Sequence, residues 1–203
     1  MPRTARPIDS SGDSAYHITV RGNNRRATFM DEEDKCVFLA ILANAKKKHS
    51  FELFHYVIMT NHFHLMIRPE SGRYLWKIMK DINQKYSLFH KKKYAFIGHL
   101  WQGRYNSEIV ADDGYALTAG LYIELNPVRA GMVNAPEEYE WSSYEHYAFG
   151  RKNPLVDENP AFRTLGPSYE KRRGWYQRLA SMWRARSVPK GTVPMGGKSV
   201  IEA

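Results

Sequence analysis

The chain has 203 residues, 43% of them hydrophobic and 13% aromatic, enough apolar side chain for one packed domain or a domain with an appendage. Cys36 is the sole cysteine, which excludes an internal disulfide and a cysteine-rich zinc site; no apolar run approaches the roughly 20 residues that span a bilayer, and the start, Met1-Pro2-Arg3-Thr4-Ala5-Arg6, is unlike a secretion signal. A cytoplasmic protein is expected, and a formal charge of +9 with a pI near 9.6 points to a polyanionic partner, although charge alone does not separate nucleic acid from an anionic surface.

Residues 1–15 read as a flexible leader, poor in apolar side chains. Tyr16, Ile18 and Val20 then alternate with His17, Thr19 and Arg21 before Gly22-Asn23-Asn24, the pattern of a half-buried strand and a turn. Asp31 can cap a helix whose apolar stripe runs Val37, Phe38, Ile41, Leu42, Ala45, with Lys46-Lys47-Lys48 at the negative end of its dipole and an end near Ser50. Phe51 to Met59 and the run from His62 are two strands joined by the short Thr60-Asn61 link, an antiparallel hairpin.

From Arg73 the apolar positions Leu75, Ile78, Met79, Ile82, Tyr86 and Phe89 recur at helical spacing, and Lys91-Lys92-Lys93 closes that second helix. Tyr105 to Val110 is a fourth strand. Asp112-Asp113 opens a third helix that is expected to run to about Asn126, where Pro127 disfavours continuation. The first six elements follow a β-α-β-β-α-β order, which predicts an α+β fold of ferredoxin-like type, an antiparallel sheet with two helices on one face, plus an additional helix.

Beyond Gly150 the composition shifts. Pro154 and Pro160 mark a loop, a helix is expected from about Tyr169 to Arg186, and the last dozen residues are rich in Gly and Pro and read as flexible. Residues 170–203 hold eight Lys or Arg against two Glu, so residues 151–203 are expected to form a basic, partly helical extension of the domain at 16–150.

Chemistry concentrates in Asn61-His62-Phe63-His64-Leu65. On a strand His62 and His64 share one face while Phe63, Leu65 and Ile67 share the other, so two imidazoles can stand side by side above a packed face. His-x-His alone is a weak metal signal. A second feature strengthens it: Tyr122 and Asn126, four apart, can offer a hydroxyl and an amide from one helical face. A phenol of pKa about 10 is ionised to only about one part in a thousand at neutral pH, and a divalent cation that polarises a phosphoryl oxygen answers part of that weakness. Among 13 tyrosines, Tyr86 belongs to an apolar stripe and Tyr115 lies two turns before Tyr122; spacing favours Tyr122 without settling the choice.

Five blocks occur in order: Tyr16-His17-Ile18-Thr19-Val20-Arg21-Gly22-Asn23, Met59-Thr60-Asn61-His62-Phe63-His64-Leu65, Gly98-His99-Leu100-Trp101-Gln102-Gly103-Arg104-Tyr105, Tyr122-Ile123-Glu124-Leu125-Asn126-Pro127-Val128-Arg129-Ala130-Gly131, and Trp141-Ser142-Ser143-Tyr144. Together, from Tyr16 to about Gly150, they resemble the REP-associated tyrosine transposases and related single-tyrosine insertion-sequence transposases of the HUH endonuclease superfamily.

The resemblance implies His62 and His64 as ligands of a divalent metal, Mg²⁺ or Mn²⁺, Asn126 as the third ligand, and Tyr122 as the nucleophile. It implies cleavage of single-stranded, hairpin-forming DNA through a 5′-phosphotyrosine, by a monomer or a homodimer. Arg21, Arg104, Arg129 and Lys91, Lys92 and Lys93 are then candidates to hold the DNA backbone, and Trp101 to stack on a base. Two other readings compete: a non-catalytic nucleic-acid-binding module of the same fold, and a metal-dependent phosphoesterase that activates water in place of a tyrosine.

Overall fold

The computed structural model describes residues 8–9 and 13–185. The last dozen residues, expected to be flexible, and most of the expected leader lie outside the described residues.

Four strands, β1 (Ala15–Arg21), β2 (Phe51–Ile58), β3 (His62–Pro69) and β4 (Asn106–Val110), form one antiparallel sheet in the order β2-β3-β1-β4. With helices α1 (Glu32–His49) and α2 (Leu75–Tyr94) as the two crossovers, this is the ferredoxin-like arrangement expected from the element order. The chain folds as two compact units. One holds the described residues up to Leu53 together with Ile58–Ile109; the other holds Phe54–Val57 and the described residues from Val110 onward.

In the first unit, β1 and β3 pair with Val20 opposite Phe63, Ile18 opposite Leu65 and Tyr16 opposite Ile67, and all six side chains are buried. Phe63 meets Phe38 of α1 at 4.6 Å between ring centres, and Phe38 meets Tyr86 of α2 edge-on at 5.5 Å, so this face of the sheet and the two helices share one core. The period of two in the strands and the stripes on the helices therefore mark the same surface. The Asp31 side chain accepts the Asp34 N–H at 2.9 Å and starts α1; Ser50, at φ 48°, ends it by returning its N–H to Lys46. The Met59 N–H donates to the His62 carbonyl at 2.8 Å and closes the β2-β3 hairpin.

In the second unit, α3 (Asp113–Glu124) starts at Asp112, whose side chain accepts the Tyr115 N–H. The expected stop at Pro127 is corrected here. The break falls at Leu125, and Pro127 lies in the first turn of a short helix α4 (Asn126–Arg129), where its missing N–H costs nothing and its fixed φ suits the helix. Helical bonding passes through the joint, from Leu125 to Leu121 and from Arg129 to Leu125, so α4 continues closely from α3.

Helices α5 (Tyr144–Phe149), α6 (Pro160–Arg163) and α7 (Tyr169–Ala185) complete this unit. The expected helix near Tyr169 is present, but it does not hang from the protein as an appendage, because Tyr176 and Ala180 are buried and the Tyr176 hydroxyl donates to Glu124 of α3. Among the described residues no helix is long and apolar enough to cross a membrane.

Candidate active site

The sheet face opposite the core carries the histidines. His64 lies opposite Thr19 and His62 opposite Arg21 in the β1-β3 ladder, so His17, Thr19 and Arg21 line the same polar face as His62, His64 and Met66. The two imidazoles stand 5.2 Å apart between ring centres, nearly perpendicular.

Each ring commits its Nδ1 within the protein. His62 Nδ1 donates to Asn61 Oδ1 at 2.6 Å, and the Asn61 amide is itself fixed by donating its Nδ2 to the Arg25 carbonyl at 2.9 Å. His64 Nδ1 lies 2.9 Å from His17 Nε2 and 3.0 Å from Thr19 Oγ1. Burial holds His17 down to about 4, and burial, with a smaller contribution from the Arg21 charge, holds His62 down to about 4. Both rings are therefore neutral at pH 7, the form in which an imidazole nitrogen has a lone pair to give.

The second unit carries the other expected residues. Tyr122 is 8% exposed, and the Arg129 guanidinium lies over its ring at 4.6 Å from the centre, a cation on an aromatic face. Asn126 keeps the expected spacing despite the break at Leu125: its Nδ2 donates to the Tyr122 carbonyl at 2.7 Å, and its Oδ1 makes no hydrogen bond among the described residues. An amide oxygen so placed suits a hard divalent cation.

Beneath Tyr122 lies a network that sequence reading missed. Glu124 is fully buried and accepts from His55 Nδ1 at 2.8 Å, from the Ser143 hydroxyl at 2.5 Å and from the Tyr176 hydroxyl at 2.6 Å. His55 Nε2 in turn accepts from Asn159 Nδ2 at 3.0 Å, which fixes the tautomer that donates to Glu124. The imidazole passes so close to α3 that a Cβ on Gly120 would sit 2.6 Å from His55 Nε2. Only glycine leaves that space.

The chemistry of these donors fits a divalent ion held by imidazole nitrogen and amide oxygen, with no cysteine needed. Among the described residues no group of three or more His, Cys, Asp or Glu is gathered to hold a metal.

A family described as IS200-like transposases matches residues 10–126, more than half of the sequence. The chain belongs to this family. A comparison with curated proteins finds no match. Among solved structures, a REP-associated tyrosine transposase bound to a REP hairpin superposes with a TM-score of 0.64 at 18% identity, over 79% of this chain and 93% of that one. A transposase structure from Deinococcus radiodurans R1 matches at a TM-score of 0.42 and 16% identity, over 57% of this chain and 89% of that one. The likeness to the first confirms the fold. Family membership makes the protein a transposase of a class that is generally metal-dependent.

The transposase distributes its expected DNA contacts unevenly. Arg21 and Arg104 are exposed in the first unit and line one cleft. Lys91 and Lys92 are exposed at the end of α2, but Lys93 is engaged by Asp31, Glu33 and Asp34 at the start of α1. Trp101 is a packing residue: its ring lies 5.7 Å from Phe63 and 5.8 Å from Tyr86, and its Nε1 donates to the Asn83 carbonyl. The indole itself is half-exposed.

His17 and Thr19 were also missed as supports of His64. Their signal was in the alternation of β1, which put both on the polar side, but only the pairing register shows which histidine they reach.

Proposed function

We propose that this transposase cleaves and rejoins single-stranded, hairpin-forming DNA with Tyr122 as the nucleophile, and that His62, His64 and Asn126 hold a divalent cation, Mg²⁺ or Mn²⁺. The observation that carries the proposal is the way both imidazoles are held: each spends Nδ1 on a partner inside the protein, so ligation falls to Nε2 of each, and partners of that kind fix ligand orientation. The REP hairpin bound to the structurally similar transposase supports a hairpin substrate for this chain.

The Tyr122 oxygen attacks phosphorus of a phosphodiester, its proton is lost, and the 3′-oxygen leaves and is protonated. The products are a 5′-phosphotyrosine and a 3′-hydroxyl. A bound cation would supply polarisation of a phosphoryl oxygen and stabilise the charge that develops there. Since the phosphotyrosine keeps the energy of the broken diester, a 3′-hydroxyl can reverse the attack and join strands without a nucleotide cofactor.

Arg129, stacked on the Tyr122 ring, limits the swing of the phenol and brings positive charge to where a phosphate must approach. Arg21 and Arg104 contribute charge for the DNA backbone from the sheet side. We place the protein in the cytoplasm, working as a monomer or a homodimer.

The test is cleavage of labelled single-stranded hairpin DNA with Mg²⁺ or Mn²⁺ by wild type, His64→Ala and Tyr122→Phe. Loss of cleavage in both variants is expected. Retained cleavage in Tyr122→Phe, without a covalent adduct, would transfer the reaction to activated water, and full activity of His64→Ala would remove the metal assignment.

A further inference from the structure

Helix α7 has two faces of different character. Tyr176 and Ala180 are buried on the inner one, and the Tyr176 hydroxyl donates to Glu124 at 2.6 Å, so the helix is mounted firmly on α3. Lys171, Trp175, Arg178 and Met182 follow one another at helical spacing and form a stripe on the outer face, turned away from α3. All four are exposed, Trp175 by 50% and Met182 by 47%. At ~1.5 Å of rise per residue the stripe runs about 16 Å.

The charges of α7 divide between the two roles. Its basic residues are Lys171, Arg172, Arg173, Arg178 and Arg184, against Glu170 alone. Arg172 donates to the Gly166 carbonyl at 2.8 Å, Arg173 to the Phe149 carbonyl at 3.0 Å and Arg184 to the Asn134 carbonyl at 2.7 Å, so these three are engaged inside the protein. Lys171 and Arg178, the two on the stripe, pair with no carboxylate among the described residues. The Arg178 guanidinium lies 5.2 Å from the centre of the Trp175 ring, a cation and an indole presented together.

Two free cations beside an exposed indole and thioether complement a ligand that is both anionic and flat-faced. Single-stranded DNA supplies both, with phosphates for Lys171 and Arg178 and unpaired bases that stack on an indole whatever their identity. A duplex offers its phosphates alone, because its bases are stacked on one another, and leaves Trp175 and Met182 in water. We propose that the outer face of α7 is a sequence-independent docking surface for single-stranded DNA, with a base stacked on Trp175 and the backbone held by Lys171 and Arg178. This role rests on the reading of the substrate as single-stranded DNA, and it gives the basic extension a part in holding it. The family match ends at residue 126, so the surface is built from chain that the match does not cover.

Full-length wild type is expected to bind fluorescent oligothymidine more tightly than a blunt duplex of equal length. Trp175→Ala should weaken oligothymidine binding about 5- to 150-fold, the range for one stacked base, and Trp175→Phe should recover most of the loss. Lys171→Ala/Arg178→Ala should reduce the slope of log affinity against log salt by about 1.4, from two phosphates at about 0.7 each on a single strand. The altered side chains are exposed, so each variant should melt as wild type does. Oligonucleotide carrying 5-iodouracil, irradiated on wild type, should cross-link to the peptide that holds Trp175, and this measurement decides alone if a variant is unstable.

Unchanged oligothymidine affinity in Trp175→Ala, an equal loss on the duplex, or cross-links confined to other peptides overturns the surface. A concentration-dependent dimer that Trp175→Ala abolishes, with DNA binding intact, assigns the face to a second copy of the chain and overturns it as well. Adduct formation on hairpin DNA keeps the two readings apart. Cross-linking at α7 with no Tyr122 adduct removes strand transfer only, whereas a Tyr122 adduct with no cross-link at α7 removes the surface only.

Discussion

At the scale of single residues, the histidine pair depends on neighbours that donate nothing to a metal themselves. His17 and Thr19 both reach His64 Nδ1, and Asn61 holds His62. Removing an outer partner of a metal-binding histidine costs about 10–100-fold in affinity or activity. His17→Ala should therefore weaken Mn²⁺ binding by that order, read directly from the free-ion signal in electron paramagnetic resonance, while the far-ultraviolet circular dichroism stays that of wild type. Unchanged Mn²⁺ affinity would reduce His17 to a packing residue. His62 and His64 were legible in sequence from a spacing of two, but His17 was not, because a strand's alternation shows a face and not the partner across the ladder. For Trp101 the sequence offered both packing and base stacking, and the structure adds the packing partners, Phe63 and Tyr86.

At the scale of elements, α3 is held by a polar core. Three donors converge on Glu124, two positions after Tyr122, and His55 presses against Gly120 of the same helix. Gly120→Ala places a methyl 2.6 Å from the imidazole nitrogen and should destabilise by about 1–3 kcal/mol, the range for overpacking, seen as a lower urea midpoint. Glu124→Ala should cost more, about 3–5 kcal/mol where the carboxyl is one half of a buried pair, because His55 is left without its acceptor. The strands and the two long helices were readable because their periods of 2 and 3.6 agree with the surface they bury. Glu124 was not, since a charged residue on a helix is ordinarily solvated and nothing local shows three donors arriving from distant segments. The break at Leu125 escaped for a different reason: a proline that disfavours one helix also favours the first turn of the next.

At the scale of the whole molecule, basic composition after residue 150 suggested a partly helical extension, and α7 within it contributes Tyr176 to the mount of α3. Tyr176→Phe leaves an acceptor of Glu124 unsatisfied in a fully buried site and should cost about 1–3 kcal/mol, whereas a tail with no structural role would melt unchanged. The ferredoxin-like order was legible because the alternation of elements alone limits the connections available to a sheet. What the alternation could not convey is which later helix shores up the one that carries Tyr122.

The central claim is that Tyr122 becomes covalently bonded to DNA. Wild type is incubated with Mn²⁺ and single-stranded hairpin DNA, digested with protease and nuclease, and its peptides are read by tandem mass spectrometry. A phosphonucleoside mass on Tyr122, absent when the metal is chelated, is the predicted result. The same mass on another residue, or cleaved DNA with no peptide carrying it, would contradict the account.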